Sequence, residues 1–186
     1  MQIVNIPIFS NAKLYLGSAP GSSYLYSLGK NKKYDYLEEA EETEKDVAML
    51  KEMGIEYVVL LQTLSELNYV EPSLIELYKS AGIKVIHYPV QDMNIPRDPG
   101  SFDRLLSTIF SLLRNNKSVL IHCMGGRGRT GLVAAALLIK TGKVNASKAI
   151  NYVRSIRPGA VETLTQEQFL YKYAQRIADA KTTRRY

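Results

Sequence analysis

The feature that most constrains the fold is a glycine-rich segment, residues 121–131 with the sequence IHCMGGRGRTG, which joins two apolar runs of different character. The run before it, 118–121, is short and contains β-branched residues, which is typical of a buried strand. The run after it, 132–139, is longer and rich in alanine and leucine, which is typical of a buried helix. A tight turn that leads into a helix N-terminus points several backbone N–H groups at one place. The segment therefore predicts an anion-binding cradle.

The cradle contains the only cysteine of the chain, Cys123, followed by two arginines and a threonine. A thiol with an ordinary pKa of about 8.5 is mostly protonated at neutral pH, but a helix N-terminus and a nearby cation lower that pKa. Arg129 lies six positions after Cys123, where its guanidinium can bind two phosphate oxygens at once. The Thr130 hydroxyl can donate a hydrogen bond to the sulfur when it leaves as a thiolate. This arrangement predicts attack of sulfur on phosphorus through a cysteinyl-phosphate intermediate.

Two other interpretations of the segment remain open. A Walker-type nucleotide loop is also a glycine-rich phosphate cradle, but it ends in Gly-Lys-Ser or Gly-Lys-Thr, whereas this segment has Gly128-Arg129-Thr130. Cys123 could instead be a buried small apolar residue, as free cysteines often are. Neither alternative explains why four glycines and two arginines surround a lone thiol.

The composition narrows the class of protein. The length of 186 residues suits a single domain that spans residues 1–186. One cysteine allows no intramolecular disulfide, and with two histidines it supplies too few ligands for a structural zinc site. The free thiol, the lack of a signal peptide and the lack of an apolar run of roughly 20 residues predict a cytoplasmic protein without a transmembrane segment. The net charge of +6 fits an anionic substrate or a solvated basic surface and is too small to indicate a nucleic-acid partner.

Strand-like and helix-like segments alternate from residue 54 to residue 140. This alternation predicts an α/β fold with a central, mostly parallel sheet flanked by helices on both faces. Functional loops of such a sheet lie at the carboxyl ends of its strands, where the Cys123 loop is expected. Pro72 and Ser101 are expected at the first turn of one helix and at the N-cap of another. The predicted strands are 13–17, 55–61, 84–88 and 118–121, and the predicted helices include 47–53, 72–82, 101–115, 132–139, 145–156 and 165–180.

Three segments are less regular. Residues 24–36 are rich in tyrosine and show no clear period, so they are interpreted as a loop or a short helix. Residues 38–44 are acidic and are expected to form the solvated start of the next helix, so that 24–44 as a whole is a candidate insert. Residues 181–186 are predicted to be a frayed basic tail.

The segment HCMGGRGRTG resembles the Cys-x5-Arg signature of the cysteine-dependent protein tyrosine and dual-specificity phosphatases. The similarity runs from about residue 14 to residue 174 and is closest to the small group of cyclin-dependent-kinase-associated phosphatases. The resemblance implies a dual-specificity phosphatase-like fold and a phosphatase that needs no metal or other cofactor. It also implies that Cys123 is the nucleophile and that Arg129 binds phosphate. The cradle that it implies consists of the backbone amides of Met124, Gly125, Gly126, Arg127, Gly128 and Arg129.

A phosphoester leaving group needs a proton, and the attack of water on the intermediate needs a proton removed. Asp92 lies three residues beyond Pro89, soon after a predicted strand ends, where the family carries its general acid. Asp98 is the other candidate, but it lies in an Asp-Pro-Gly sequence whose turn chemistry already explains it. A loop carboxylate without a catalytic role remains the alternative for Asp92.

Four further residues are singled out by their position relative to the motif. His122 is expected to hydrogen-bond the loop and so to orient Cys123, and Gln166 matches the second of two glutamines that tyrosine-specific members carry. Glu162 replaces the first of these glutamines, the one that positions water, and a carboxylate is repelled by a nearby phosphate. At the position of Arg127, many members carry an apolar residue and lipid-directed members carry a basic one. Arg127 is either a solvent-facing arginine or a ligand for a second phosphate.

These observations lead to a protein phosphatase that acts on phosphotyrosine and on phosphoserine and phosphothreonine, with a phosphorylated protein as its partner. A phosphoinositide or RNA 5′-phosphate phosphatase is the alternative within enzymes. A phosphate-dependent binding module that has lost turnover is the alternative outside them. The presence of Cys123, Arg129 and Asp92 speaks against the binding module.

Overall fold

The computed structural model describes residues 1–6, 13–28, 33–67 and 73–183, with side chains up to residue 180. Within these ranges the chain alternates between strands and helices, as the sequence predicts. The elements are β1 (Ile3–Asn5), β2 (Lys13–Gly17), α1 (Ser22–Ser27), α2 (Tyr36–Glu52), β3 (Tyr57–Leu60), α3 (Leu64–Leu67), α4 (Leu74–Ser80), β4 (Lys84–His87), α5 (Pro99–Arg114), β5 (Ser118–His122), α6 (Gly128–Lys140), α7 (Ala146–Ile156) and α8 (Leu164–Thr183).

The strands form one sheet in the order β1-β2-β5-β3-β4. β5 is parallel to both of its neighbours, β2 and β3, and β3 is parallel to β4. Only the short edge strand β1 is antiparallel, with Ile3 opposite Gly17 and Asn5 opposite Tyr15. The predicted mostly parallel sheet is confirmed, although the sequence analysis did not include β1.

Each face of the sheet packs against its own set of helices, because successive side chains of a strand point to opposite faces. On one face, Val119 and Ile121 of β5 belong to a core that includes buried residues of α5, α6, α7 and α8. On the other face, Leu120 belongs to a smaller core formed with α2 and α4. Within α6 the residues from Gly128 to Ile139 are all buried, which explains the continuous apolar run after the glycine-rich segment.

The start of α5 differs from the prediction. Asp98, not Ser101, is the N-cap residue: its carboxylate accepts hydrogen bonds from the backbone N–H groups of Gly100 (3.2 Å) and Ser101 (2.7 Å). Pro99 then occupies the first helical position, where its missing N–H costs nothing. The Asp-Pro-Gly sequence is therefore a helix start, which gives Asp98 a structural role.

The candidate insert contains α1 and the beginning of α2, whose N-cap is Asp35. The acidic run begins this helix, as expected, but it is not wholly solvated, because Glu39 is only 7% exposed. Residues 29–32 of the insert, Pro72 and the last three residues, 184–186, lie outside the described ranges. α8 continues through Thr183, so the first three residues of the predicted tail, 181–183, belong to this helix.

No helix in the described part of the chain is both long enough and apolar enough to cross a membrane.

The smaller core offers a direct test of the sheet packing. Leu120 is fully buried on the face covered by α2 and α4. We expect Leu120→Ala to lower the free energy of unfolding by about 2–5 kcal/mol, because the substitution leaves a cavity. The exposed Leu164, at 69% exposure, provides the matched control, and Leu164→Ala should change stability by no more than about 0.5 kcal/mol. The free energy of unfolding of both variants is measured by urea denaturation. Equal losses of free energy in the two variants would contradict the assigned packing.

Candidate active site

The cradle follows β5 directly and ends where α6 begins at Gly128. Gly126 has a φ of 68°, and a Cβ atom on it would lie 2.2 Å from the carbonyl oxygen of Gly17. Only glycine fits this position, because both its backbone conformation and its contact with the end of β2 exclude a side chain. The backbone N–H of Ala19 donates to the Met124 carbonyl at 2.9 Å, so the segment after β2 holds the first residue of the cradle.

Cys123 lies at the base of the cradle, with 3% of its surface exposed. The Thr130 hydroxyl donates a hydrogen bond to its sulfur over 3.2 Å. This contact is the one expected from the sequence, and it places a donor beside the sulfur from the first turn of α6. The arrangement suits a sulfur that alternates between nucleophile and leaving group.

Arg129 is 2% exposed, and its guanidinium is held by partners from α3 and from the loop after β4. Its two terminal nitrogens donate to the two carboxylate oxygens of Glu66 at 2.8 Å, and one of them also donates to the Val90 carbonyl at 2.9 Å. Its Nε has no hydrogen-bond partner among the described residues although it is buried. The edge that carries Nε is therefore the part of the guanidinium left available to an anion.

Glu66 was not singled out from the sequence as a site residue. Burial by itself raises the pKa of Glu66, but hydrogen bonds from Arg129 and from Thr63 outweigh burial and bring the pKa below its usual value. Glu66 is therefore a carboxylate that stays charged and fixes the orientation of Arg129. The sequence offered only its place in the segment 63–67, which carried the family resemblance.

Asp92 lies on the loop between β4 and α5, and its carboxylate is 2.9 Å from the Arg129 guanidinium. The same loop is attached to the start of α8 and to the residue before it. Gln166 donates through Nε2 to the Asn94 carbonyl at 3.2 Å, and the Thr163 hydroxyl donates to the Met93 carbonyl at 3.5 Å. The fold thus brings Asp92 to the arginine of the cradle, whereas Asp98 caps α5.

His122 is fully buried beneath the cradle. Its Nε2 lies 2.8 Å from the Tyr78 hydroxyl, and its Nδ1 lies 3.2 Å from the Cys123 carbonyl oxygen. Burial lowers the pKa of His122 to about 4; the hydrogen bond to Cys123 partly opposes this shift, and the charge of Arg129 adds a smaller decrease. The ring is therefore neutral at neutral pH and connects the cradle to α4.

Arg157, a second residue that the sequence analysis did not single out, holds the cradle from below. Its guanidinium donates to the carbonyls of Gly126 (3.0 Å) and Gly125 (3.1 Å). The carbonyl and the N–H of one peptide unit point in opposite directions. Fixing these two carbonyls therefore directs the N–H groups of Gly126 and Arg127 to the other side of the backbone. A basic residue at the end of an otherwise amphipathic helix was the only sequence signal for this role.

Two of the remaining expected residues lie at the rim. Arg127 and Glu162 are both exposed, and together with Tyr26 they line an open groove beside the cradle. Gln166 is buried, and both ends of its amide are already bound, because its Oε1 also accepts from the Thr163 N–H at 3.3 Å. Gly128 packs so closely that a Cβ atom there would lie 2.5 Å from a Glu162 carboxylate oxygen.

Comparison with known proteins identifies the family. Residues 36–176 match the family model of the dual specificity phosphatase catalytic domain. The chain belongs to the dual-specificity phosphatase family. The match includes Glu66, Asp92, the whole cradle and Gln166.

Individual relatives agree with this assignment. The chain is 36% identical to cyclin-dependent kinase inhibitor 3 from mouse (Mus musculus) over 137 residues, which are 73% of this chain and 64% of that protein. The human (Homo sapiens) protein of the same name is 35% identical over 138 residues, 73% of this chain and 65% of its own length. The matched stretch thus spans less than two thirds of each relative.

Solved structures agree as well. A crystal structure of kinase associated phosphatase, with its catalytic-site cysteine replaced by serine, superimposes with a TM-score of 0.79 at 28% identity and covers 96% of both chains. The phosphatase Tk-PTP in its active form gives a TM-score of 0.68 at 27% identity and covers 90% of this chain and 99% of its own. The expected resemblance to this family, and to the kinase-associated group within it, is confirmed.

The ion pair between Glu66 and Arg129 generates a prediction about phosphate binding. Glu66→Gln keeps the shape of the side chain but removes its charge, and charge-assisted hydrogen bonds contribute about 1.5–3 kcal/mol. We expect the dissociation constant for inorganic phosphate, measured by NMR titration, to rise by about tenfold or more. Glu56→Gln is the matched control, since Glu56 is paired with Lys117 at 2.8 Å at the opposite end of β5. A similar rise in both variants would contradict the specific role of Glu66.

The lowered pKa of His122 predicts how stability depends on pH. An unfolded histidine titrates near pH 6.5, whereas the folded ring titrates at about 4. Below pH 6.5 the unfolded chain therefore binds a proton that the folded chain does not bind. This one group should remove about 1.4 kcal/mol of stability per pH unit as the pH falls from 6.5 towards 4. Urea denaturation across this range should show a flatter dependence for His122→Gln than for the wild type, and parallel curves would contradict the prediction.

Proposed function

We propose that the protein is a phosphatase that hydrolyses phosphotyrosine, phosphoserine and phosphothreonine in protein substrates. The single observation that supports this proposal is the convergence of three groups: a cysteine sulfur with a hydroxyl donor at 3.2 Å, a buried arginine, and a carboxylate 2.9 Å from that arginine. These groups, Cys123, Arg129 and Asp92, come from two separate loops. A nucleophile, an anion-binding group and an acid are the components that phosphoester cleavage by sulfur requires.

In the first step we propose that the Cys123 sulfur, as a thiolate, attacks phosphorus while Arg129 and the backbone amides of residues 124–129 hold the phosphate oxygens. The bond from phosphorus to the leaving oxygen breaks, and Asp92 donates a proton to that oxygen. Phosphate and the Asp92 carboxylate compete for the same guanidinium edge. Substrate binding therefore displaces Asp92 from Arg129, and the freed carboxylate takes up a proton from solvent before it faces the leaving oxygen as the acid.

In the second step a water molecule attacks the cysteinyl-phosphate, and Asp92, now a carboxylate, accepts a proton from the water. The sulfur–phosphorus bond breaks, the sulfur leaves as a thiolate and Thr130 donates its hydrogen bond to it. His122 supports the cradle from below as a neutral ring. Gln166 contributes by holding the Asp92 loop, because its amide is bound to the backbone at Asn94 and Thr163 and is not free to position water.

A second candidate function rests on one observation. Arg127 is exposed at the rim and lines the groove beside the cradle, where it is available to a second phosphate of a phosphoinositide or of an RNA 5′-phosphate end. Glu162 lines the same groove with the opposite charge, which weakens the attraction. We therefore place protein substrates first. A cytoplasmic location, where thiols stay reduced, suits a lone nucleophilic cysteine and is part of the proposal.

The test is phosphate release from phosphotyrosine and phosphothreonine peptides, phosphoinositide vesicles and triphosphate RNA. We expect Cys123→Ser to abolish release from every substrate of the wild type. Asp92→Asn should lower kcat/KM by about 10²–10⁴-fold, the range of general acid catalysis, and more for phosphothreonine than for phosphotyrosine because an alkoxide is the poorer leaving group.

Asp98→Asn provides the matched control, since asparagine also caps helices and Asp98 does not contact Arg129. It should leave kcat/KM unchanged. Loss of activity in Asp98→Asn with normal activity in Asp92→Asn would reverse the assignment. Binding of phosphopeptide without any release of phosphate by the wild type would instead favour the binding module.

A further inference from the structure

A second cavity, of about 300 Å³, adjoins the cradle on the side of α1 and α2. Its walls are largely apolar and include Leu25, Leu67 and Leu74. It borders the active site through Met124, which directly follows Cys123. Tyr34 also lines the cavity and is 47% exposed, so the cavity reaches the protein surface at that side.

Gln62 lines this cavity and lacks a partner for its carbonyl oxygen. The residue is 2% exposed, and its Oε1 accepts no hydrogen bond in the described part of the chain. A buried acceptor that is left unpaired costs roughly 1–3 kcal/mol. A ligand that brought an N–H group to this oxygen would recover that free energy.

Glu39 lines the same cavity and is 7% exposed. Its carboxylate accepts a hydrogen bond from the Tyr34 hydroxyl. Unlike Glu66, which Arg129 neutralises, Glu39 has no lysine or arginine ion-paired with it among the described residues. A buried carboxylate without a cation is costly, and an incoming cation offsets that cost.

We propose that this cavity binds a basic side chain, lysine or arginine, of the phosphorylated substrate, an inference that rests on the proposed function. The apolar walls match the aliphatic stem of such a side chain. Glu39 and Gln62 then accept hydrogen bonds from its ammonium or guanidinium group, both of which carry only donors. The unpaired charge of Glu39 repels a second phosphate or an acidic side chain.

The basic residue lies close in sequence to the phosphorylated one. The cavity and the cradle share Met124, whose carbonyl is bound by the Ala19 N–H beside the cavity. Because the cavity borders the cradle directly, we place the basic residue within about three positions of the phosphorylated one, a span of about 10 Å in an extended peptide that advances about 3.4 Å per residue. The protein should therefore prefer a phosphorylated residue that has a lysine or arginine nearby in the sequence.

The experiment uses phosphotyrosine peptides that carry lysine, arginine, norleucine or glutamate at each position from about three residues before to three after the phosphotyrosine. Norleucine reproduces most of the lysine stem without the charge. We expect one position at which lysine or arginine raises kcat/KM about tenfold over norleucine, equivalent to about 1.4 kcal/mol. Glutamate at that position should lower kcat/KM.

Two variants and one matched control assign the effect to the cavity. In Glu39→Gln the ratio of kcat/KM for the lysine peptide to kcat/KM for the norleucine peptide should fall to about one, because the preference depends on the charge of Glu39. In Gln62→Met the ratio should fall by only about threefold, because one neutral hydrogen-bond acceptor is lost while the charge of Glu39 remains. Glu41→Gln removes the same charge from an exposed position of α2 and should keep the wild-type ratio.

Three results would overturn the proposal. The first is that no position favours lysine or arginine, and the second is that the kcat/KM ratio stays at its wild-type value in both Glu39→Gln and Gln62→Met. The third is that the ratio falls as far in Glu41→Gln as in Glu39→Gln. Calorimetry of the same peptides with Cys123→Ser separates this inference from the proposed function. If the wild type releases no phosphate but the dissociation constants still favour lysine over norleucine, only the phosphatase proposal fails. If they show no such preference, the basic-residue site fails on its own.

Discussion

Arg129 is a buried guanidinium, and a buried cation is stable only where a carboxylate and carbonyl groups surround it. Glu66 supplies both of its carboxylate oxygens at 2.8 Å, and Val90 supplies a backbone carbonyl at 2.9 Å. These two partners follow β3 and β4, while Arg129 follows β5. The ion pair thus joins the carboxyl ends of three parallel strands and orients the guanidinium edge that faces the cradle. Asp92 reaches that edge because its loop starts from the same end of the sheet.

The cradle itself depends on contacts from beneath. Arg157 binds two of its carbonyls, and Gly126 accepts the close approach of Gly17. Val161 adopts a φ of 57°, which is costly for a β-branched residue. Its backbone is fixed on both sides, since its N–H donates to the Arg127 carbonyl and its carbonyl accepts from Arg154 at 2.9 Å. These contacts hold the backbone of the cradle in place without an anion, so the cost of ordering it falls on folding rather than on binding.

Much of this arrangement could be predicted because the signals are local. The apolar run before the cradle and the one after it differ in length and β-branching, which was enough to predict β5, α6 and the turn between them. The same periodicity predicted the mostly parallel sheet. The start of α5 was misassigned to Ser101, because Asp98 and Pro99 provide a cap and a first turn that compete with a serine cap. The catalytic roles of Cys123, Arg129 and Asp92 stay predictions until the variants are measured.

By itself, the sequence determined that a thiol, an arginine six positions later and a glycine-rich helix start lie in one short segment. That conclusion needed no tertiary information, because only five residues separate the thiol from the arginine. Only the tertiary structure decided which distant groups meet them. Glu66 contacts Arg129 across 63 positions of sequence, and Arg157 contacts Gly126 across 31. The burial of Glu39, in a run whose Glu38 and Glu41 are exposed, was decided in the same way. Contacts of this kind depend on how strands and helices pack, and periodicity along the chain carries no information about which pairs they bring together.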